Sequence, residues 1–171
     1  LVVEQKSVLL QDYKLYIIRV ISLAYISRGF LMNSGRPSLT QKWVRAILNE
    51  FYGTDGIHGY GYGQDEDQGQ LGAWFVISSI GLFDVKGLTD ENPSFSLGAP
   101  LFDKVTIRLS DKYYSGKEFV ITTSGNEKGT SYVQQYSLNG QQLHEPRIPF
   151  SEIVKGGRLD IQMGNSPKDN Y

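Results

Sequence analysis

The chain is organised around an acidic stretch that reads GYGQDEDQGQLGAW at residues 61–74. Three consecutive carboxylates follow glycines that let the backbone come close to a ligand. In the apolar run after them, Leu71 and Trp74 have the spacing of one helix face. The pattern therefore places the carboxylates at a helix start, where the helix dipole keeps them ionised and able to bind a cation or accept a proton from water. The alternative is that Asp65 or Asp67 only caps this helix.

The composition of the 171 residues indicates a folded protein and narrows the kinds of partner. Hydrophobic residues make up 40% of the chain, enough for a core. The net charge is −1 and the basic residues are scattered, which argues against a nucleic-acid-binding surface. The absence of cysteine excludes disulfides and thiolate metal sites, and two histidines make a multi-histidine zinc site improbable. A metal bound here would be a hard, oxygen-liking ion.

Two segments before the acidic stretch have helical character. Residues 15–31 are apolar but are interrupted by Arg19 and Arg28, so we predict a buried helix rather than a membrane span. The alternative is a strand, which the β-branched residues at 17–21 favour. Pro37 opens a second helix that is predicted to run to about Tyr52. Its apolar stripe is predicted to consist of Trp43, Val44, Ile47, Leu48 and Phe51.

Aromatic residues close to the carboxylates are candidates for sugar binding. Tyr60 and Tyr62 alternate with glycines in a predicted loop, and a tyrosine face can pack on the C–H face of a pyranose. The alternative is that both tyrosines fill the core. Trp74 lies on the next predicted helix, which spans residues 70–80 and stops at Gly81. Trp74 can either reach the sugar or pack in the core.

The second half of the chain changes to short β-favouring runs separated by turn residues. Asn139-Gly140 is a strong signal for a two-residue hairpin, residues 151–154 form one helical turn, and the polar tail at residues 165–171 is expected to fray. We therefore predict an α+β fold, with a helical domain at residues 1–84 and a mostly antiparallel, sandwich-like β region at residues 85–171. The predicted strands span residues 105–109, 118–123, 131–138 and 159–163.

Several motifs, in order, resemble glycoside hydrolase family 92, the calcium-dependent exo-acting alpha-mannosidases. The acidic stretch resembles the signature of that family, and the resemblance extends from about Asn33 to Gly164. The other motifs are NSGRP at residues 33–37, TQKWVR at 40–45, SIGLF at 79–83, GAPLFDK at 98–104 and LNG at 138–140.

The resemblance implies an inverting hydrolysis of terminal alpha-linked mannose. Inversion needs a general acid and a carboxylate base about 6.5–9.5 Å apart, and two aspartates separated by one residue do not readily supply both. The family resemblance implies Asp65 and Asp67 as base candidates, with the acid on a glutamate elsewhere in the barrel. It also implies calcium as a cofactor, with Asp67 as a candidate ligand, and Tyr60, Tyr62 and Trp74 as substrate contacts.

The same resemblance implies that the chain is the C-terminal part of a longer enzyme. Its helical segment would be the end of an (α/α)6 barrel, and its partners would be a mannose-containing glycan and the remaining β-sandwich and barrel. The chain alone is then expected to be inactive, and the enzyme to be periplasmic or secreted. The alternatives are a non-catalytic carbohydrate-binding or structural β module and, less well matched by the spacing of the acids, a calcium-binding adhesion-like domain.

Overall fold

The computed structural model describes residues 35–52, 70–84, 86–127 and 129–171. Within these residues, two helices lead into eight strands, with one further short helix before the last strand, which confirms the predicted α+β class. The helices are α1 (Pro37–Phe51), α2 (Gln70–Ser79) and α3 (Phe150–Val154). The strands are β1 (Leu82–Phe83), β2 (Ser94–Leu97), β3 (Lys104–Arg108), β4 (Glu118–Ser124), β5 (Tyr132–Leu138), β6 (Gln141–Gln142), β7 (Arg147–Pro149) and β8 (Gly157–Gly164).

Helix α1 begins at Pro37, as predicted, because proline has the backbone angle of a first helical residue and needs no hydrogen bond there. Val44, Ile47 and Leu48 are buried, which confirms most of the predicted stripe. The inclusion of Trp43 was wrong, since its side chain is 56% exposed.

Two polar side chains explain why Trp43 faces outward. Gln41 and Arg45 are 1% and 6% exposed, so the buried face of α1 is centred near Gln41, Val44 and Leu48. Trp43 lies about a third of a turn from that centre. Apolar periodicity does not anticipate this rotation, because it counts Gln41 and Arg45 as outward-facing residues.

Helix α2 is apolar on most of its surface, which is typical of a helix packed on several sides. It ends before Gly81, as predicted, and Gly81 has the left-handed φ of 83°. A Cβ at this position would lie 2.7 Å from Cγ of Pro100. Glycine is therefore required both by the backbone angle and by the close approach of the loop that carries Pro100.

The strands form two sheets. The smaller sheet has the order β1-β2-β7, with antiparallel pairs such as Leu82 with Leu97 and Phe95 with Ile148. The larger sheet has the order β3-β4-β8-β5-β6. All its described pairs are antiparallel except β4 with β8, which run parallel with Ile121 beside Leu159. The β region is thus mostly antiparallel, as predicted, but not wholly so.

Local turn chemistry fixes the hairpin between β5 and β6. Asn139 and Gly140 have φ values of 51° and 83°, the combination that a type I′ turn requires, which confirms the predicted hairpin. Asn139 is also bonded to the neighbouring strand, because its Oδ1 accepts the N–H of Arg158 at 2.8 Å. The short helix predicted at residues 151–154 is confirmed as α3.

The protein has a large core under the sheets and a smaller one under the helices. In the smaller core, Trp74 packs with Phe83 and with three residues of α1, Val44, Ile47 and Leu48. The buried residues of the larger core are Leu82, Leu97, Ala99, Phe119, Ile121, Val133, Tyr136, Ile148, Ile153, Leu159, Ile161 and Met163.

The C-terminal tail packs on the protein, so the expectation that it frays was wrong. Tyr171 packs against Tyr136 with ring centroids 4.9 Å apart, and its hydroxyl accepts a 2.6 Å hydrogen bond from Gln41 Nε2. The carboxylate of Asp169 accepts the N–H of Ser38 at 2.9 Å. A polar tail is ordered here because its side chains satisfy buried groups and a helix-terminal N–H on α1.

Sheet pairing begins just before the predicted domain division, since β1 at residues 82–83 pairs with β2. The division into residues 1–84 and 85–171 stays a prediction. None of the helices in the described part of the chain is both long and apolar enough to cross a membrane.

Candidate functional site

Four of the predicted site residues lie outside the described residues. Tyr60, Tyr62, Asp65 and Asp67 belong to the segment 53–69, which connects α1 to α2. Their roles as base, calcium ligand and sugar contacts therefore stay predictions. The structure does describe α1 and Tyr52 before this segment and α2 after it.

Aromatic stacking fastens α1 to α2 next to that segment. Tyr52, directly after α1, lies with its ring centroid 4.7 Å from that of Phe75 and 5.8 Å from that of Trp74, with interplanar angles of 23° and 24°. Offset-stacked rings at these separations stabilise each other beyond the area they bury. The two helices that flank the predicted acidic segment are thus joined by an aromatic contact.

Trp74 is the one predicted site residue that the structure describes. Its side chain is 1% exposed and packs in the helical core, which is the core alternative that the sequence left open. Its indole Nε1 is buried and has no hydrogen-bond partner among the described residues. A buried indole N–H without a partner costs free energy, so an acceptor supplied by another part of the protein or by a ligand would be favourable here.

Trp74 also lines a pocket of about 280 Å³ between α2 and the small sheet, which we call the Trp74 pocket. The carboxylate of Asp84 orders one wall, because its oxygens accept the N–H groups of Lys86 and Leu88. Contact between Trp74 and a sugar stays a prediction. The lining residues are Ala73, Trp74, Ile77, Phe83, Asp84, Gly87, Leu88 and Phe95.

Arg45 is a buried cation that the sequence did not single out. Its guanidinium donates to the carbonyl of Pro100 and, at 3.0 Å, to Oδ1 of Asn126. Asn126 in turn donates to the carbonyl of Leu101 at 3.1 Å and to Asp103 at 3.2 Å. Burial lowers the pKa of the Arg45 guanidinium below its ordinary value. This network ties α1 to the loop before β3 and to the turn after β4.

Gln41 makes a second polar link between α1 and the β region. Its Oε1 accepts the N–H of Val133 at 2.9 Å, and its Nε2 donates to the hydroxyls of Tyr136 at 3.3 Å and Tyr171 at 2.6 Å. The Tyr136 hydroxyl lies 3.2 Å from the carbonyl of Leu97, to which it donates. The position of α1, from which the chain enters the acidic segment, is therefore set by hydrogen bonds between Gln41 and both β5 and the C-terminal tail, in addition to those of Arg45.

The described residues do not form a metal site by themselves. Among residues 35–52, 70–84, 86–127 and 129–171, no three His, Cys, Asp or Glu side chains come together to hold a metal ion. The segment 53–69 contains the consecutive carboxylates of residues 65–67, the oxygen donors that a hard cation prefers. The donor chemistry of the chain therefore fits calcium at that segment.

The sequence profile described as the glycosyl hydrolase family 92 catalytic domain matches residues 30–165. The match includes α1, α2, the segment between them and nearly all of the β region. The chain belongs to glycoside hydrolase family 92. None of the curated proteins compared with it matches the chain.

Solved structures of the same family are similar to the described fold. The inverting mannosidase BT2199 from Bacteroides thetaiotaomicron is 32% identical, with a TM-score of 0.63, over 78% of this chain and 17% of its own length. The alpha-mannosidase BT3965 from the same organism is 25% identical, with a TM-score of 0.69, over 85% of this chain and 18% of its own. BT3965 has also been solved in complex with mannoimidazole. The chain thus spans about a sixth of the length of these relatives.

Proposed function

We propose that this chain is the C-terminal segment of an exo-acting, inverting, calcium-dependent alpha-mannosidase that removes terminal alpha-linked mannose from glycans. The observation that carries the proposal is the family match at residues 30–165, which contains the acidic segment. The similarity to an inverting mannosidase and to an alpha-mannosidase that binds mannoimidazole supports the choice of mannose.

In this proposal the chain supplies the base side of the reaction. Asp67, assisted by Asp65, accepts a proton from the attacking water, because an ionised carboxylate is the general base that inverting hydrolysis requires. The general acid comes from the remainder of the enzyme, on the opposite face of the sugar. Tyr60 and Tyr62 pack on the apolar face of the mannose ring.

The proposed cofactor is calcium, with Asp67 as a ligand from this chain. When bound, calcium would hold sugar hydroxyls and orient the ring for attack. The remaining ligands would come from other oxygen donors of the enzyme. Action on extracellular glycans agrees with the proposed periplasmic or secreted location.

Asp67→Asn in the enzyme that carries this segment tests the base. Loss of a general base lowers kcat by about 10²- to 10⁴-fold, whereas a helix cap survives the change because asparagine also caps helices. Release of mannose from an alpha-linked mannobiose, followed by NMR, measures both the rate and the configuration of the first product. Inversion is the expected outcome.

A matched control is Asp90→Asn, which removes an exposed carboxylate that pairs with Lys86 at 2.8 Å. This variant should keep full activity. A chelator should abolish mannose release by the parent enzyme, and added calcium should restore it. Full activity of Asp67→Asn would contradict the assignment of the base, and calcium-dependent release by the 171-residue chain alone would contradict its description as an incomplete site.

A further inference from the structure

A second concave surface lies in the β region, outside the segment that holds the predicted catalytic residues. It has a volume of about 720 Å³, within the range of about 300–1,000 Å³ that is usual for small-molecule sites. It is formed where β2 and β7 meet the start of α3, and we call it the Arg147 pocket. Its lining residues are Glu91, Asn92, Pro93, Ser94, Arg147, Pro149, Phe150, Ser151 and Val154.

The walls of the Arg147 pocket are held in place before any ligand binds. Ser94 pairs with Pro149 in the small sheet, and the N–H of Phe150 donates to the carbonyl of Pro93 at 2.9 Å. The two prolines restrict the backbone on both sides. A pocket with fixed walls loses little conformational freedom on binding, which favours affinity.

Exposed aromatic rings continue the surface beyond the pocket. Tyr114 lies edge-on to Phe150 with ring centroids 6.2 Å apart, and Tyr113 follows at 6.4 Å from Tyr114. Tyr113 is 69% exposed and Tyr114 37%, so neither ring is needed to fill the core. Rings that remain accessible beside a pocket are suited to contact the C–H face of a ligand.

The polar groups of the pocket offer hydrogen bonds without a net charge. Arg147 donates to Ser94 Oγ at 3.1 Å, and among the described residues this is the guanidinium's one hydrogen bond, which leaves its other N–H groups available. Glu91 and Asn92 are exposed at the rim, with no ion pair for Glu91 in the described part of the chain. One carboxylate and one guanidinium cancel within the lining. Beside it, Lys112, whose Nζ lies 5.2 Å from the ring centroid of Tyr113, is adjacent in sequence to Asp111. The surface therefore suits a neutral ligand rather than a phosphate or a strongly charged peptide.

A neutral ligand that has an apolar face and a ring of hydroxyls is a carbohydrate. We propose that the Arg147 pocket, together with Tyr113 and Tyr114, is a second glycan-binding site that holds a mannose-containing oligosaccharide away from the catalytic residues. The choice of mannose rests on the proposed function, whereas the choice of a neutral carbohydrate rests on the pocket. The site would retain a branched or polymeric substrate between successive cleavages.

The test measures retention of the enzyme in a gel that contains mannan, in an Asp67→Asn background that prevents hydrolysis. The double variant Tyr114→Ala, Arg147→Gln removes one ring and the cationic donor and should bind about tenfold more weakly. The matched control is Phe102→Ala, which removes a 47% exposed aromatic ring that does not line the pocket. This control should be retained like the parent.

A second measurement needs no variant and is independent of folding defects. Mannan oligosaccharides should slow amide hydrogen exchange at residues 91–94 and 147–151. Unchanged exchange there, or equal retention of the double variant and the parent, would overturn the proposal. If residues 91–94 and 147–151 are already protected from exchange without sugar, and the enzyme is not retained in the mannan gel, another part of the enzyme covers the pocket. That result would also overturn the proposal.

The two proposals fail separately. Without the Asp67→Asn change, the double variant should hydrolyse a small mannoside at the parent rate and mannan more slowly. If mannan is retained at the pocket but no mannoside is cleaved by the parent, the catalytic proposal fails and the second site stands. If the parent cleaves mannosides normally and the double variant binds mannan like the parent, the proposal of a second site fails and the catalytic proposal stands.

Discussion

At the scale of single residues, the two tryptophans show that residue type alone does not determine burial. Trp43 and Trp74 are the two tryptophans of the chain, and both lie in apolar helical patterns. Trp74 is 1% exposed and Trp43 is 56% exposed. The difference arises because Gln41 and Arg45 turn the buried face of α1 away from Trp43.

Replacing each tryptophan by alanine should therefore have very different effects on stability. Trp74→Ala removes the centre of the helical core and should lower the free energy of unfolding by about 3–5 kcal/mol. Trp43→Ala should change it by no more than about 0.5 kcal/mol. Urea unfolding followed by circular dichroism measures both. Equal losses would contradict the burial of Trp74.

Tyr171 should make stability depend on alkaline pH. Burial is the largest influence and raises the pKa of its phenol above the ordinary 10.0, although hydrogen bonds with Gln41 and Tyr136 act in the opposite direction. The folded protein therefore retains this proton at pH values where the unfolded chain has lost it. This contribution is complete below pH 10 and is lost as the pH rises from 10 towards the higher folded pKa.

Tyr171→Phe isolates that contribution. At neutral pH the variant should be less stable by about 1 kcal/mol, because it loses the hydrogen bond from Gln41. Above pH 10 the parent should lose stability more steeply than the variant, so the gap between them should narrow. Thermal unfolding of both proteins from pH 8 to 11 measures this. A stability difference between the two proteins that widens as the pH rises would contradict the raised pKa of Tyr171 in the folded protein.

At the scale of elements, the C-terminal residues 168–171 form hydrogen bonds to both α1 and the large sheet, and we call them the strap. Asp169 accepts the N–H of Ser38 at the start of α1, and Lys168 donates to the carbonyl of Gln134 in β5 at 2.6 Å. Tyr171 completes the strap through Gln41 and Tyr136. The tail therefore helps to hold the helix that leads into the acidic segment.

Deleting residues 166–171 should loosen α1 before the sheet. We expect amide hydrogen exchange in the first turns of α1 to become at least about tenfold faster, since the deletion removes a helix-terminal acceptor and a buried hydrogen bond. Exchange in β4 and β8, which lie in the middle of the sheet, should change much less. The control Asn170→Ala replaces an exposed tail residue and should leave α1 unchanged. Unchanged protection of α1 after the deletion would contradict the strap.

At the scale of the whole molecule, α1 and the β region are joined by side chains that are far apart in sequence. Arg45 bonds to residues 55 and 81 positions away, and Gln41 to residues up to 130 positions away. Each link satisfies a buried polar group, so separating the two parts would expose or orphan several of them at once. This favours unfolding of the described parts as one unit.

A single-tryptophan variant can test this cooperativity. In Trp43→Phe, Trp74 is the sole indole and reports on the helical core, while circular dichroism at a strand-sensitive wavelength reports on the sheets. We expect the two urea transitions to have the same midpoint. Two separate midpoints would show that the helical and β parts unfold independently, in spite of the links through Arg45 and Gln41.

Features that depend on local chemistry are predictable from the sequence alone. Pro37 and Gly81 mark the start of α1 and the end of α2 because their backbone preferences act within a few residues. Asn139 and Gly140 specify their turn in the same way. The carboxylates at residues 65–67 are likewise recognisable as a candidate site from residue type and glycine spacing, although their geometry lies outside the described residues.

The burial of polar residues and the pairing of the strands depend instead on tertiary contacts. The strands β1, β2 and β7 are short and were not predicted, because their pairing partners rather than their own sequences make them strands. The parallel pairing of β4 with β8 and the ordered tail also depend on contacts distant in sequence. Periodicity ranks residues by hydrophobicity, whereas the burial of Gln41 and Arg45 is compensated by hydrogen bonds to groups far along the chain, although Nε of Arg45 has no partner among the described residues. No local pattern contains that information.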